Sequence, residues 1–277
     1  MKSPIQAVIF DWAGTLIDFG SRAPVAVVME VFERSGVPIT TAQARGPMGM
    51  AKREHLAAVC AMPLVREAWH QRYGRWPDQQ DVDALYADFL PLQRSLLARH
   101  CDAIPGAIEA LAFLADRQIA VGSTTGYTRE LMEVVLPLAA SQGIAPQVVV
   151  AADDVRSGRP KPWLIYEAMQ RLDRYPAWHC LVVDDTLVGL DAGIQAGCWT
   201  VGVSRSGNEL GMSRMELDRA EPSDIAERLL GIERRFIDLG VDFVIGSVAD
   251  LPQVLLEVER RIAAGGLPRG LSGQRAS

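Results

Sequence analysis

Lysine is nearly absent from this chain of 277 residues: of 28 basic residues only Lys2, Lys52 and Lys161 are lysine, and the other 25 are arginine. Arginine fills most of lysine's surface roles but cannot normally act as an amine nucleophile, so an internal lysine here is a place to look for chemistry. The four cysteines (Cys60, Cys101, Cys180 and Cys198) lack C-x-x-C spacing, which argues against a zinc knuckle and a disulfide framework. An excess of positive charge is missing too. Twenty-eight basic against 34 acidic residues give a net charge of −6, without the basic footprint of a nucleic-acid binder. No apolar run approaches the ~20 residues of a membrane span, and the amino end reads without a cleavable signal, so a cytoplasmic protein is expected. Repeats and low-complexity tracts are likewise lacking.

What is present is a chain that is 49% apolar and 22% charged, enough to bury a sizeable core in one or two domains. Short apolar runs bounded by turn residues recur at 7–10, 119–122, 148–151, 181–183, 200–203 and 243–245. Amphipathic stretches of helical length separate most of them, including 106–116, 129–140 and 163–172. That alternation predicts an α/β fold with a doubly wound parallel sheet. It breaks between about residues 21 and 100, where helical material falls at 24–36, 51–60, 63–73 and 81–99. The expected organisation is an α/β core of residues 1–20 and 101–264, a helical cap of residues 21–100 inserted after the first strand, and a flexible tail of residues 265–277.

In an open parallel sheet, ligands sit beyond the carboxyl ends of the strands. The first strand delivers Asp11, in Phe10-Asp11-Trp12-Ala13-Gly14-Thr15, and the second Ser123-Thr124-Thr125-Gly126. The third leads to Asp153-Asp154 and then Arg159-Pro160-Lys161-Pro162, and the fourth delivers Asp184-Asp185-Thr186. Any one of these reads as a helix N-cap. Together, a carboxylate nucleophile, a hydroxyl with backbone donors, a cation and a carboxylate pair suit phosphoryl transfer. The carboxylates bind Mg²⁺, and the cation and N–H groups hold the phosphoryl oxygens. His70, His100 and His179 have no ligand spacing, and Trp12 reads as packing.

This order of motifs resembles the haloacid dehalogenase superfamily, over nearly the whole chain. Its phosphatases carry Asp-x-Asp, whose second carboxylate protonates a departing alkoxide; here that position is Ala13. Alanine makes sense if the leaving atom is carbon, because an electron sink is then needed rather than an acid. A lysine condensed with an aldehyde as a protonated imine supplies one. Lys52 opens a cap helix in Met48-Gly49-Met50-Ala51-Lys52-Arg53-Glu54-His55; taken alone it reads as an exposed helix lysine.

Five strings narrow the resemblance to the phosphonoacetaldehyde hydrolase (phosphonatase) family: DWAGT at 11–15, MGMAKREH at 48–55, GSTTGYTRE at 122–130, GRPKPW at 158–163 and GNELGMS at 207–213. The resemblance implies P–C bond hydrolysis of phosphonoacetaldehyde, with Asp11 as nucleophile and Lys52 as the imine lysine. It also implies Mg²⁺ held by Asp11, Asp185 and the Ala13 carbonyl, and a homodimer. Thr125 and Gly126 would contact the phosphoryl group, while Met48, Gly49, His55 and Tyr127 would line or tune the cap side. Lys52 would lose its proton through its setting or to His55.

Two departures stand out. The family's Gly-Asp-Thr-x-x-Asp is here Asp184-Asp185-Thr186-Leu187-Val188-Gly189, so Asp184 is expected to replace the later acid at the metal. Ser21 stands where cysteine is frequent in the family. Arg159 is favoured over Lys161 as the phosphoryl-binding cation. A haloacid dehalogenase or a phosphate-monoester phosphatase of the same superfamily is the alternative reading. A non-catalytic binding module is the remaining one.

Overall fold

The computed structural model describes residues 3–272. Six parallel strands form one sheet: β1 (Ala7–Phe10), β2 (Ala120–Thr124), β3 (Val148–Val150), β4 (Cys180–Asp184), β5 (Trp199–Val203) and β6 (Phe243–Ile245), in the order β3-β2-β1-β4-β5-β6. Every residue of β1 is buried, because it lies centrally between β2 and β4 and is covered on both faces. The chain winds outward from β1 through β2 to β3, then returns to β4 on the other side of β1. The β1/β4 boundary is therefore the topological switch point, where such sheets form a ligand crevice.

Five helices lie between β1 and β2 before the chain re-enters the sheet layers: α1 (Arg22–Arg34), α2 (Thr41–Arg45), α3 (Lys52–Ala61), α4 (Pro63–Tyr73) and α5 (Gln79–Leu97). Val27, Val28, Val31 and Phe32 of α1 pack with Leu56 and Val59 of α3 and Val82, Leu85 and Phe89 of α5. They form a hydrophobic cluster separate from those on the sheet. The remaining helices cover the sheet: α6 (Ala107–Asp116), α7 (Arg129–Ala140), α8 (Trp163–Arg171), α9 (Leu187–Ala196), α10 (Arg214–Arg219), α11 (Pro222–Leu239), α12 (Leu251–Ala263) and α13 (Arg269–Ser272). Local signals set their ends. Thr128 and Thr186 accept from the third backbone N–H of α7 and α9, and Gly197 stops α9 at φ +77°.

Within the expected tail, the Arg269 N–H donates to Asp242 Oδ1 at 2.8 Å, and the Leu271 side chain abuts Gly197. A buried carboxylate with a free oxygen is a strong enough acceptor to hold a turn that no apolar periodicity announces. The rest of the expected tail, residues 273–277, lies outside the described residues.

Candidate active site

Asp11 is the first residue beyond β1, and its N–H donates to Val183 O of the neighbouring strand at 2.9 Å. Its carboxylate therefore starts from the end of a fully buried central strand. Asp184 and Asp185 sit at the end of β4, and one oxygen each of Asp11, Asp184 and Asp185 lie within 4.8 Å of one another, all buried. Gly14, at φ +89°, lets the turn after β1 close on this cluster; a Cβ there would stand 2.0 Å from Asp185 Oδ2. The Asn208 N–H donates to that same oxygen at 2.7 Å, whereas Asp185 Oδ1 is buried without a hydrogen-bond partner.

Arg159 provides the counter-charge. It is 3% exposed and donates to Asp11 Oδ1 at 2.8 Å and to Thr124 Oγ1 at 2.8 Å, with Asp184 Oδ2 at 3.1 Å. Lys161 is exposed and reaches only Ser157 Oγ at 3.5 Å. Of the two candidate cations, the structure brings Arg159 alone to the carboxylates. Even so, burial and then the neighbouring Asp184 charge push the Asp11 pKa up to about 7, and burial with Asp11 pushes Asp185 well up. Three crowded carboxylates, one of them with an unsatisfied oxygen, fit a divalent cation, which takes oxygen ligands and stabilises their ionised form.

Asp184 is engaged elsewhere as well. Its Oδ1 accepts from the Thr186 N–H at 2.9 Å and from Thr186 Oγ1 at 2.7 Å. Gly189 lies against it: a Cβ at 189 would fall 2.1–2.3 Å from three atoms of the Asp184 carboxyl group. An acid at position 184 and any side chain at position 189 thus exclude each other in this geometry.

From the α1–α5 side, Lys52 opens α3 and is 4% exposed, contrary to its reading as a surface lysine. Its Nζ lies 3.9 Å from Met48 Sδ and 5.2 Å from the centroid of the Tyr127 ring, with no carboxylate in contact. Burial lowers its pKa from the ordinary 10.5 to about 8. His55 is fully buried, and its Nε2 lies 2.9 Å from Ala44 O. Burial and the Lys52 charge push its pKa down to about 3, so the ring is neutral. Burial, rather than transfer to His55, accounts for a deprotonated Lys52.

Asp11, Ala13, Ser21, Met48, Gly49, Lys52, Thr125, Gly126, Tyr127 and Arg159 all line one small cavity of about 20 Å³. Two glycines close the seam: a Cβ at Gly49 would stand 2.4 Å from Thr186 Oγ1, and one at Gly126 2.5 Å from Met50 O. Thr125 is buried, and its Oγ1 accepts from the Tyr127 N–H at 3.0 Å. Sequence reasoning passed over Pro24 and Thr186 in the lining, the Asn208 N–H on Asp185, and buried Gln93 beside the Tyr127 hydroxyl. Thr186 follows the acidic pair directly and was within reach of the motif. Asn208 lies in the GNELGMS string, which points to the family but not to this contact, and Gln93 arrives from a distant segment without a signal.

The haloacid dehalogenase-like hydrolase family model matches residues 5–197. The phosphonoacetaldehyde hydrolase of Paraburkholderia xenovorans is 44% identical over 264 residues, covering 95% of this chain and 99% of that protein. The chain belongs to the phosphonoacetaldehyde hydrolase family. A more distant family member, from Syntrophobacter fumaroxidans, is 39% identical, with 96% of each chain covered. Among solved structures, a phosphonoacetaldehyde hydrolase-like protein from Oleispira antarctica superposes with a TM-score of 0.94 at 39% identity, covering 97% of this chain and 98% of that one. A β-phosphoglucomutase from Clostridium difficile, 17% identical with a TM-score of 0.67, covers 94% of this chain and 99% of its own, and shares the fold alone.

Proposed function

We propose that this family member hydrolyses the P–C bond of phosphonoacetaldehyde to acetaldehyde and phosphate, with residues 21–100 acting as a cap over the sheet. The observation that carries the reading is Lys52. A buried amine with a lowered pKa faces the same cavity as Asp11 in a chain whose second acid position is Ala13. Neither dehalogenation nor phosphate-ester hydrolysis needs an imine-forming lysine.

At a pKa of about 8, roughly a tenth of Lys52 is the free amine at pH 7, against well under a thousandth for an ordinary lysine. The free amine attacks the aldehyde carbon, water leaves, and the resulting imine is protonated. Asp11, at the end of β1, then attacks phosphorus opposite the P–C bond. The bonding electrons of P–C move into the protonated imine, which leaves as an enamine on Lys52, and phosphorus remains on Asp11 as an acyl phosphate. One water cleaves the acyl phosphate. Protonation of the enamine carbon and attack of the second water, the one released earlier, free acetaldehyde. Net consumption is one water per substrate.

Arg159, Thr125 and the Gly126 N–H would hold phosphoryl oxygens. Asp11, Asp184, Asp185 and the Ala13 carbonyl would hold Mg²⁺, which when bound offsets negative charge on the phosphoryl oxygens. Three carboxylates against Arg159 and protonated Lys52 leave a formal charge of −1, unsuited to an anionic substrate until a divalent cation adds two positive charges. The same resemblance supports a homodimer working in the cytoplasm; no helix among the described residues is long and apolar enough to cross a membrane.

The test is borohydride added together with phosphonoacetaldehyde. Irreversible inactivation is expected, with the mass increment on the peptide containing Lys52, and Lys52→Arg should lose both trapping and acetaldehyde release. An adduct on Lys161, or full activity in Lys52→Arg, would overturn the mechanism.

A further inference from the structure

Arg45 ends α2, a single capped turn between α1 and the loop that carries Met48 and Gly49. Its guanidinium leaves the cap altogether. Nη1 donates to Gly20 O at 2.9 Å, in the linker joining β1 to α1, and to Asn208 Oδ1 at 3.1 Å. Nη2 donates to Gly211 O at 3.0 Å. Nη1 also lies 3.3 Å from Asn208 O and 3.4 Å from Ser21 O. One planar fork thus ties three separate stretches together, a task suited to arginine's fixed donor geometry and not to lysine's point charge.

What those stretches do gives the fork its importance. Asn208 is the residue whose N–H holds Asp185 Oδ2 at 2.7 Å. The linker is pinned from the other side, the Gly20 N–H donating to Ser206 O at 2.7 Å, and Ser206 Oγ in turn donates to Gly14 O at 3.1 Å. The fit is close: a Cβ at Gly211 would meet the Arg45 guanidinium at 2.6 Å, and one at Gly207 would meet Asp185 Cβ at 2.5 Å. Seven residues after Arg45, along a loop with Gly49 against Thr186, stands Lys52.

We propose that Arg45 is a positioning residue that couples seating of the cap loop to orientation of the Asp185 carboxylate. Lys52 and the metal-binding oxygens would then come into register in one motion. The idea rests on the reading of Asp185 as a metal ligand and Lys52 as the imine lysine. Arg228 of α11 makes a natural control, because it holds the same loop from the core side, donating to Leu210 O at 2.8 Å, and touches nothing in the cap through that bond.

Two readouts on the full chain decide the matter: Mg²⁺ affinity by calorimetry without substrate, and the rate of borohydride trapping at Lys52. Partners that orient metal ligands are worth about 10–100-fold in affinity, so Arg45→Ala should weaken Mg²⁺ binding by about 10-fold. It should slow trapping by a similar factor, while Arg228→Ala stays within about twofold of wild type on both. Should Arg45→Ala fail to fold, Arg45→Lys answers the same question; its ammonium cannot span the linker and the 208–211 loop, so both readouts should still fall. Wild-type Mg²⁺ affinity in the Arg45 variants, loss of only one readout, or equal losses in Arg228→Ala would overturn the coupling. Failure of the wild-type protein itself to bind Mg²⁺ or to trap at Lys52 would instead count against the underlying functional reading.

Discussion

The buried amine should cost this protein stability, and the cost can be measured. Lys52 is moved from an ordinary pKa of 10.5 to about 8, chiefly by loss of hydration. At 1.36 kcal/mol per pKa step, keeping the proton in the folded state costs about 3 kcal/mol relative to the unfolded chain. The sign follows from proton binding. Between pH 8 and 10.5 the unfolded chain holds the Lys52 proton and the folded chain has released it, so the Lys52 contribution to stability rises with pH across that window. The buried cysteines, whose thiols burial pushes up, contribute with the opposite sign and cancel when a Lys52 variant is compared with wild type. Below pH 8 both states are protonated and the full cost applies. Lys52→Met keeps an unbranched stem of similar length beside Met48 and Tyr127 and removes the charge. In metal-free buffer at pH 7 it should therefore be inactive yet more stable, by roughly 5–10 °C in Tm for a chain of this size. The difference between Lys52→Met and wild type should shrink as pH is raised from 8 toward 10.5. Denaturant melts of the two proteins at pH 7 and pH 10 provide the assay. A less stable Lys52→Met at pH 7, or a gap that does not change with pH, would refute the argument.

Asp11→Asn keeps the shape of the side chain and an acceptor for Arg159 but cannot form an acyl phosphate, so turnover should fall by at least about 10³-fold with the circular-dichroism spectrum unchanged. Near-wild-type activity would remove Asp11 from the nucleophile role. Asp185→Ala should weaken Mg²⁺ binding by calorimetry far more than any change at an exposed carboxylate such as Asp153; an unchanged titration would move the metal to other ligands. Gly189→Asp should both destabilise the protein, by about 1–3 kcal/mol of overpacking against Asp184, and weaken Mg²⁺ binding. Adding Asp184→Gly in the same chain should recover part of each loss, and strict additivity of the two changes would show that the sites do not share space.

The parts of the site that lie on regular elements were legible. Asp11 follows a four-residue apolar run that the sheet buries completely, and Asp184-Asp185 follow another, so alternating strands and helices placed both at one edge. Strand ends were less so. The second run predicts 119–122, whereas β2 extends to Thr124, because Ser123 and Thr124 are buried polar residues whose hydroxyls find Val148 O and Arg159. Helix α2 escaped notice because its five residues bury only Ala44 and show no periodicity, although Thr40 and Gln43 form its capping box. The reach of Arg45 to carbonyls more than 160 residues away leaves no local trace, and neither does the exclusion between Asp184 and Gly189. Contacts of that kind depend on which loops the fold brings together.

Asp11 stands on the sheet and Lys52 on the helical insertion, and the cavity between them is about 20 Å³, the room of a water or so and less than a phosphonate needs. In the proposed reading, substrate enters as the insertion moves away from the sheet, and the consequence reaches beyond entry. Under the proposed mechanism each half of the cleaved molecule is left covalently tethered to a different body, phosphorus below and the two-carbon fragment above. An opening at that stage would draw the two fragments apart. Re-formation of the P–C bond would need both tethers intact and the seam of Gly49 and Gly126 shut again. Separation of the tethers thus slows recombination of the two fragments, while hydrolysis of the acyl phosphate sets the direction of the reaction.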